Sequence, residues 1–317
     1  MDKRKTLEAH RLTKCFHQRE SALKRHSLRA VDSVSLSVVS GETFAIIGES
    51  GSGKTTLAML LTRLLGPDGG TAYFEGRDIF SLEKGGLLSF RRSVQMIFQD
   101  PFASLDPRMR IGQIVAEGMR IHRLGDRAKQ RKRVGELLDV VGLPADAKDK
   151  FPHEFSGGQR QRIGIARALA VQPRLIVADE PVSALDVSVQ AKILNLLIEL
   201  KARRRLTYVI IAHNMRMVGQ IADRIAVMYL GRLLEIATSQ ALFGSPMHPY
   251  TRLLLASVPS FGRAPTQPDA VSDRPLDPES SGCRFRERCA EALPLCQKTE
   301  PELKDVGAGR LVACHLF

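Results

Sequence analysis

The stretch "GESGSGKTT", Gly48 to Thr56, constrains this chain more than any other. It fits the pattern G-x-x-x-x-G-K-[ST] and stands between two suitable neighbours. Before it runs "TFAIIG", a short continuous apolar run of the kind a buried strand needs. After it runs "KTTLAMLLTRLLG", whose apolar spacing predicts a helix stopping at Gly66. Gly48, Gly51 and Gly53 let the backbone turn tightly and aim N–H groups at phosphate oxygens. The following helix adds its positive end. Lys54 supplies a point charge for the β- and γ-phosphates, and the Thr55 hydroxyl can ligate Mg2+. Ser50 and Thr56 belong to the same loop. A plain glycine-rich turn is the bland alternative, and the flanking strand and helix weigh against it.

Two further stretches carry charge chemistry. "RLIVADEP" ends an apolar strand in two carboxylates. Asp179 suits the Mg2+ shell, and Glu180, one step on, suits the polarisation of an attacking water. "FSGGQRQRIGIARALA" opens a long helix with Ser156, Gly157, Gly158 and Gln159. Bare backbone N–H groups at a helix start make a second anion site. One chain with two separate phosphate-binding stretches can complete a nucleotide site with halves from two subunits.

With these motifs the sequence resembles the ATP-binding subunits of ABC transporters. "SGGQ" is similar to their signature motif. The resemblance makes Gln99 of "IFQDP" the Q-loop glutamine, near Mg2+ and the attacking water. It makes "SALD", with Asp186, the D-loop, and His213 of "IIAHN" the switch histidine. Phe16 of "LTKCF" matches the aromatic that stacks on adenine, displaced from the phosphate loop by an insertion at about 17–29. Asn214 departs from the aspartate that usually follows the switch histidine. "HEFSGGQRQRI", "SALDVSVQAKILNLL" and "HPYTRLLLASVP" resemble the peptide importers, the group that also handles nickel and opines.

The order of strand and helix units predicts an α/β fold: a P-loop NTPase domain of the ABC type with an antiparallel β subdomain and a helical insertion at about 100–170. The expected organisation is an ATPase domain over 1–258, a linker over 259–282 and a small cysteine-bearing extension over 283–317. The linker carries five prolines and little apolar content. The longest apolar runs are far short of the roughly 20 residues that cross a bilayer. The N-terminus lacks the apolar core of a secretory signal. A net charge of +13 suits polyanions or a solvated basic surface. Without tryptophan or interleaved aromatics, a single-strand stacking platform is disfavoured.

Four of the five cysteines, Cys283, Cys289, Cys296 and Cys314, sit in the tail with C-x5-C-x6-C-x17-C spacing. This is not the paired C-x2-C of common zinc ribbons. Four thiolates suit an iron–sulfur cluster, and the resemblance favours [4Fe–4S], with Zn2+ or free structural thiols as alternatives. The polar tail is expected to lack a core of its own and to be pinned by such a centre. Cys15 reads as a packing residue.

The resemblance implies an ATPase that binds ATP and Mg2+ and works peripherally on the cytoplasmic face of a membrane. Its implied partners are a second ABC ATPase subunit (a paralogue or a copy of itself), two permeases and an external substrate-binding protein, with no nucleic acid. The rival class is a soluble ABC ATPase acting on nucleic acid or ribosomes. Those usually hold two P-loops in one chain, and this chain has one.

Overall fold

The computed structural model describes residues 4–19, 25–183, 185–256 and 281–317. The linker expected at 259–282 therefore lies outside the described residues apart from its last two positions, as does Ala184 of the D-loop stretch. Along the chain the strands are β1 (Lys5–Arg19), β2 (Arg25–Val39), β3 (Thr43–Ile47), β4 (Gly69–Phe74), β5 (Arg77–Asp78), β6 (Val94–Ile97), β7 (Leu175–Asp179), β8 (Thr207–Ala212), β9 (Arg224–Tyr229), β10 (Arg232–Thr238), β11 (Lys304–Asp305) and β12 (Leu311–Val312). The helices are α1 (Lys54–Leu61), α2 (Lys84–Ser93), α3 (Ile111–Ile121), α4 (Arg127–Val140), α5 (Gly157–Leu169), α6 (Val187–Arg204), α7 (Met215–Ile221), α8 (Ser239–Gly244) and α9 (Pro249–Ala256). The described residues fall into two compact units, one within 1–7, 38–42 and 74–211, the other within 8–37, 43–73 and 212–317.

The first unit is built on the parallel strands β6-β7-β8, with Val94 opposite Leu175 and Leu175 opposite Thr207. β7 and β8 are buried along their whole length, as strands covered on both faces must be. The insertion contributes α3, α4 and α5, which pack on one another. α3 buries Ile111, Ile114, Val115 and Met119, an i, i+3, i+4, i+8 stripe. α4 starts at Asp126, whose side chain accepts the Lys129 N–H at 2.8 Å.

The second unit holds the order β2-β1-β4 in one sheet and β11-β12-β10-β9-β3 in another. On β2, Val34, Leu36 and Val38 are buried on alternate positions, as their spacing predicts. β3 and β9 are parallel, with Phe44 opposite Arg224 and Ile47 opposite Val227. β9 and β10 form the hairpin expected of "RIAVMYLGRLLEIA", with Arg232 opposite Tyr229. α1 ends at Leu61, short of the Gly66 stop that the apolar spacing predicts, because Leu64 and Leu65 donate back to the Met59 carbonyl and turn the chain out of the helix.

The tail joins this second unit. Leu311 and Val312 of β12 pair antiparallel with Ile236 and Glu235 of β10. Phe285 is 2% exposed and meets Tyr229, Tyr250 and His248. Glu235, fully buried, pairs with Arg310 at 3.1 Å. Strand pairing, a buried aromatic and buried ion pairs hold the tail.

Candidate functional site

The expected phosphate loop, Gly48–Thr56, sits in the second unit between β3 and α1. Gly48 has φ 156°, and a Cβ there would stand 2.0 Å from the Met228 carbonyl oxygen. Gly53 has φ 99°, and its Cβ would stand 1.9 Å from the Ala30 carbonyl oxygen. Only glycine fits either position. The Gly231 N–H donates to the Ser52 carbonyl at 2.9 Å and ties the loop to the β9–β10 turn. Lys54 is 5% exposed, and its ammonium donates to Gly48 O at 2.9 Å, Glu49 O at 2.7 Å and Ser52 Oγ at 3.1 Å. The loop thus wraps a cation and fixes it at the start of α1. Ser50, Gly51 and Thr55 are exposed beside it, and Thr56 is half-buried.

Two other residues of the second unit carry expected roles. Phe16, near the end of β1, is 38% exposed and presents an aromatic ring to solvent. β1 and β2 are 15 residues long each. His213 is exposed in the turn between β8 and α7. Asn214 caps α7, its Oδ1 accepting the Met217 N–H at 3.3 Å. Aspartate caps a helix in the same way, so the departure at Asn214 preserves this contact.

The acidic strand end lies in the first unit. Asp179 closes β7 opposite Ile211 and is 3% exposed. Glu180 has φ 43°, an uncommon backbone for a residue with a Cβ. Its N–H donates to Ile211 O at 2.9 Å, and its carbonyl accepts from Ser183 N–H at 3.2 Å and Ser183 Oγ at 3.1 Å. Its carboxylate Oε2 accepts the Gln99 side-chain amide at 2.9 Å. Two residues separated by 81 positions thus share one hydrogen bond at the C-terminal ends of β6 and β7.

The signature stretch starts α5 in the same unit. Ser156 is its N-cap, and a capping box forms: Gln159 N–H reaches Ser156 Oγ at 3.4 Å while Ser156 N–H reaches Gln159 Oε1 at 2.9 Å. The amides of Gly157 and Gly158 are the other donors of the first turn. A Cβ on Gly158 would lie 2.4 Å from Val189 Cγ1, whereas one on Gly157 would meet nothing nearer than Leu185 Cδ2 at 3.4 Å. Gly158 is therefore a packing glycine against α6, and Gly157 leaves its face open. Asp186 is the exposed N-cap of α6, followed by Val187 at 82% exposure.

The four tail cysteines are free thiols, Cys283 and Cys296 buried, Cys289 and Cys314 half-buried. The Cys283 N–H donates to the Cys296 carbonyl at 2.7 Å. Burial pushes the Cys283 thiol up to about 11, with neighbouring Cys296 and Cys314 adding to the rise. Burial likewise raises Cys289 and Cys314. Among the described residues, no group of three or more His, Cys, Asp or Glu is arranged to hold a metal ion. The expectation of a [4Fe–4S] cluster, or of Zn2+, finds no support here.

The sequence reading missed what touches Glu49, the second residue of the phosphate loop. Arg288 donates to both its carboxylate oxygens, at 2.8 and 3.0 Å, and the Tyr250 hydroxyl accepts its N–H at 3.0 Å. It also missed buried Asp32, which accepts from Arg232 at 3.0 Å, from Arg29 at 3.5 Å and from Arg284. Burial alone would raise the Asp32 carboxyl; Arg232, Arg284 and Arg29 together hold it below the ordinary carboxylate range. The only local signal was the run "CRFRERC", with its arginines spaced between two cysteines.

Comparison with known proteins places these features. Residues 31–183 match the family model described as ABC transporter, and residues 234–296 match the oligopeptide/dipeptide transporter, C-terminal region. The chain is 44% identical over 320 residues to the oligopeptide transport ATP-binding protein AppF of Bacillus subtilis, covering 98% of this chain and 97% of that one. It is 48% identical over 306 residues to YkfD of the same organism, whose name assigns it provisionally to oligopeptide transport as an ATP-binding protein; the match covers 93% of this chain and 91% of YkfD. Among solved structures, the dimeric ATP-binding cassette MJ0796 bound to ADP and Pi superposes with TM-score 0.67 at 29% identity, over 74% of this chain and 98% of that one. CbiO1 of Clostridium perfringens, part of the ABC transporter complex cbiONQ, gives TM-score 0.65 at 28% identity, over 76% and 91%.

Proposed function

The chain belongs to the ABC transporter family, in the branch that carries the oligopeptide/dipeptide C-terminal region, and on that premise we propose that its ATP hydrolysis powers the import of di- and oligopeptides. The observation that carries the ATPase reading is the loop closed around Lys54, a fixed cation at a helix start. In this reading Gly48, Ser50, Gly51, Gly53, Lys54, Thr55 and Thr56 hold the phosphates, with Lys54 on the β- and γ-phosphates. Glu180 polarises the attacking water, and Gln99 orients the Glu180 carboxylate through their 2.9 Å hydrogen bond. His213 serves as the switch beside the γ-phosphate, and Phe16 stacks on adenine. Ser156, Gly157, Gly158 and Gln159 serve the ATP held by a second ATPase subunit, with Asp186 next to that contact.

Thr55, Asp179 and Gln99 offer the hard oxygen donors that Mg2+ prefers. Gln99 fits because its amide nitrogen is engaged by Glu180, so that its oxygen remains to face a cation or water. When bound, Mg2+ neutralises phosphate charge. An iron–sulfur cluster is not part of this reading, since no group of residues arranged to hold a metal was found among the described residues.

Among the described residues no helix is long and apolar enough to cross a membrane. In the proposed assembly this subunit lies peripherally on the cytoplasmic face, against two permeases and a second ATPase, a paralogue or a copy. An external binding protein would deliver the cargo. Peptide uptake by cells carrying Lys54→Ala tests the reading. Uptake of di- and oligopeptides is lost if it is right. Unchanged peptide uptake, with loss of nickel, opine or glutathione-like cargo instead, would reassign the cargo.

A further inference from the structure

Glu49 is an odd residue for its place. It puts a carboxylate second in a loop proposed to bind a polyanion, where a bare negative charge would repel the phosphates. The structure holds this residue at three points. Its carboxylate takes both arms of the Arg288 guanidinium, at 2.8 and 3.0 Å. Its N–H donates to Tyr250 Oη at 3.0 Å. Its carbonyl accepts from Lys54 Nζ at 2.7 Å and from Ser52 N–H at 3.2 Å. One residue thus links the C-terminal tail, helix α9 and the lysine of the phosphate loop.

The residues that grip Glu49 are themselves fixed. Arg288 follows Phe285, which is buried against Tyr229 and Tyr250 with ring centroids 5.6 and 5.4 Å apart. Its guanidinium lies 5.7 Å from the Tyr229 ring centroid and 5.8 Å from that of Phe285. Four residues earlier, Arg284 anchors the same segment on Asp32 and on the Leu230 carbonyl, beside the Gly231 amide that binds Ser52. Tyr250 packs on Tyr229 with centroids 4.6 Å apart. A planar guanidinium in bidentate contact fixes the direction of its carboxylate as well as its charge.

We propose that Arg288 is a positioning residue of the phosphate loop: acting through Glu49, and with Tyr250 holding the Glu49 amide, it neutralises the loop's own carboxylate and sets the affinity for ATP. The C-terminal region is then part of the nucleotide site's support. The proposal rests on reading Gly48–Thr56 as the ATP phosphate loop.

The test is ATP affinity by calorimetry on the full chain, with KM and kcat in the assembled transporter. Arg288→Gln bares the Glu49 carboxylate and weakens ATP binding roughly two- to fivefold, the span of a half-exposed ion pair, with kcat little changed. Arg288→Lys retains the charge and falls between the two. Glu49→Gln/Arg288→Gln removes both charges and recovers affinity close to the original. A tail that is merely fastened by this pair would give the opposite pattern, with no change in affinity for Arg288→Gln or an equal loss in the double variant. Either result overturns the proposal. Lys54→Ala is the control for its premise: if that variant binds ATP normally, the phosphate-loop reading itself fails, whatever Arg288 does.

Discussion

The side-chain amide of Gln99 donates a 2.9 Å hydrogen bond to the carboxylate of Glu180. The bond joins the loop after β6 to the residue after β7, where Glu180 has a left-handed backbone with φ 43°. A base used on water must be oriented before it can act. Gln99→Ala frees the Glu180 side chain, and kcat for ATP falls by about tenfold, the value of one hydrogen bond to a charged group. ATP affinity measured by calorimetry stays within about twofold. A variant with unchanged kcat would remove Gln99 from this role.

The two glycines of the signature respond differently. A Cβ at Gly157 finds space, so Gly157→Asp folds and acts through its charge. Its ATP binding as an isolated subunit survives, while ATP-driven dimerisation, followed by size-exclusion chromatography, is lost. A Cβ at Gly158 collides with Val189, so Gly158→Ala is overpacked and loses about 1–3 kcal/mol of stability. Thermal unfolding of the two variants separates a charge effect from a packing effect.

His248 makes stability depend on mildly acid pH. It is 1% exposed, and burial, helped by nearby Arg252, pushes its pKa down to about 4. Its Nδ1 accepts the Tyr250 N–H at 3.0 Å, which requires an unprotonated nitrogen. The unfolded chain binds the proton from about pH 6.5 and the folded chain only near 4, so this contribution is whole above 6.5 and lost as pH falls toward 4. The loss amounts to about 3 kcal/mol. His248→Gln flattens the curve of unfolding temperature against pH in that window, and an unaltered slope would show that another group sets it.

The Asp32 cluster acts at lower pH and on the tail. Its carboxylate, depressed by Arg232, Arg284 and Arg29 against the cost of burial, contributes stability that is complete above the ordinary carboxylate range and lost as pH falls below it. Asp32→Asn removes the carboxylate shared by Arg232, Arg284 and Arg29, leaves Arg284 with Glu300 at 3.6 Å and the Leu230 carbonyl, and costs about 1–3 kcal/mol. Limited proteolysis reads the result directly, as faster cleavage within 283–317.

What the sequence made legible was local. A strand, a glycine loop and a helix in immediate succession announced the turn that wraps Lys54, and the apolar alternation of β2 and the β9–β10 hairpin were visible for the same reason. Helix α2 was missed because Gly85 and Gly86 stand inside it, and β6 because its four residues carry too little pattern. The contacts of Gln99 with Glu180 and of Arg288 with Glu49 span 81 and 239 positions. Pairings at such distance leave no periodicity to read. The tail was expected to need a metal centre because its apolar content is low. Among its anchors are arginines whose acidic partners, Asp32, Glu49 and Glu235, lie far upstream.

Glu180 is proposed to activate the water that hydrolyses ATP. Phosphate release by the assembled transporter carrying Glu180→Gln tests it most directly, with ATP binding measured in the same samples. The account predicts that release falls at least about a hundredfold while ATP stays bound, since general-base catalysis contributes that much or more. Phosphate release near the original rate, with ATP binding intact, would contradict it.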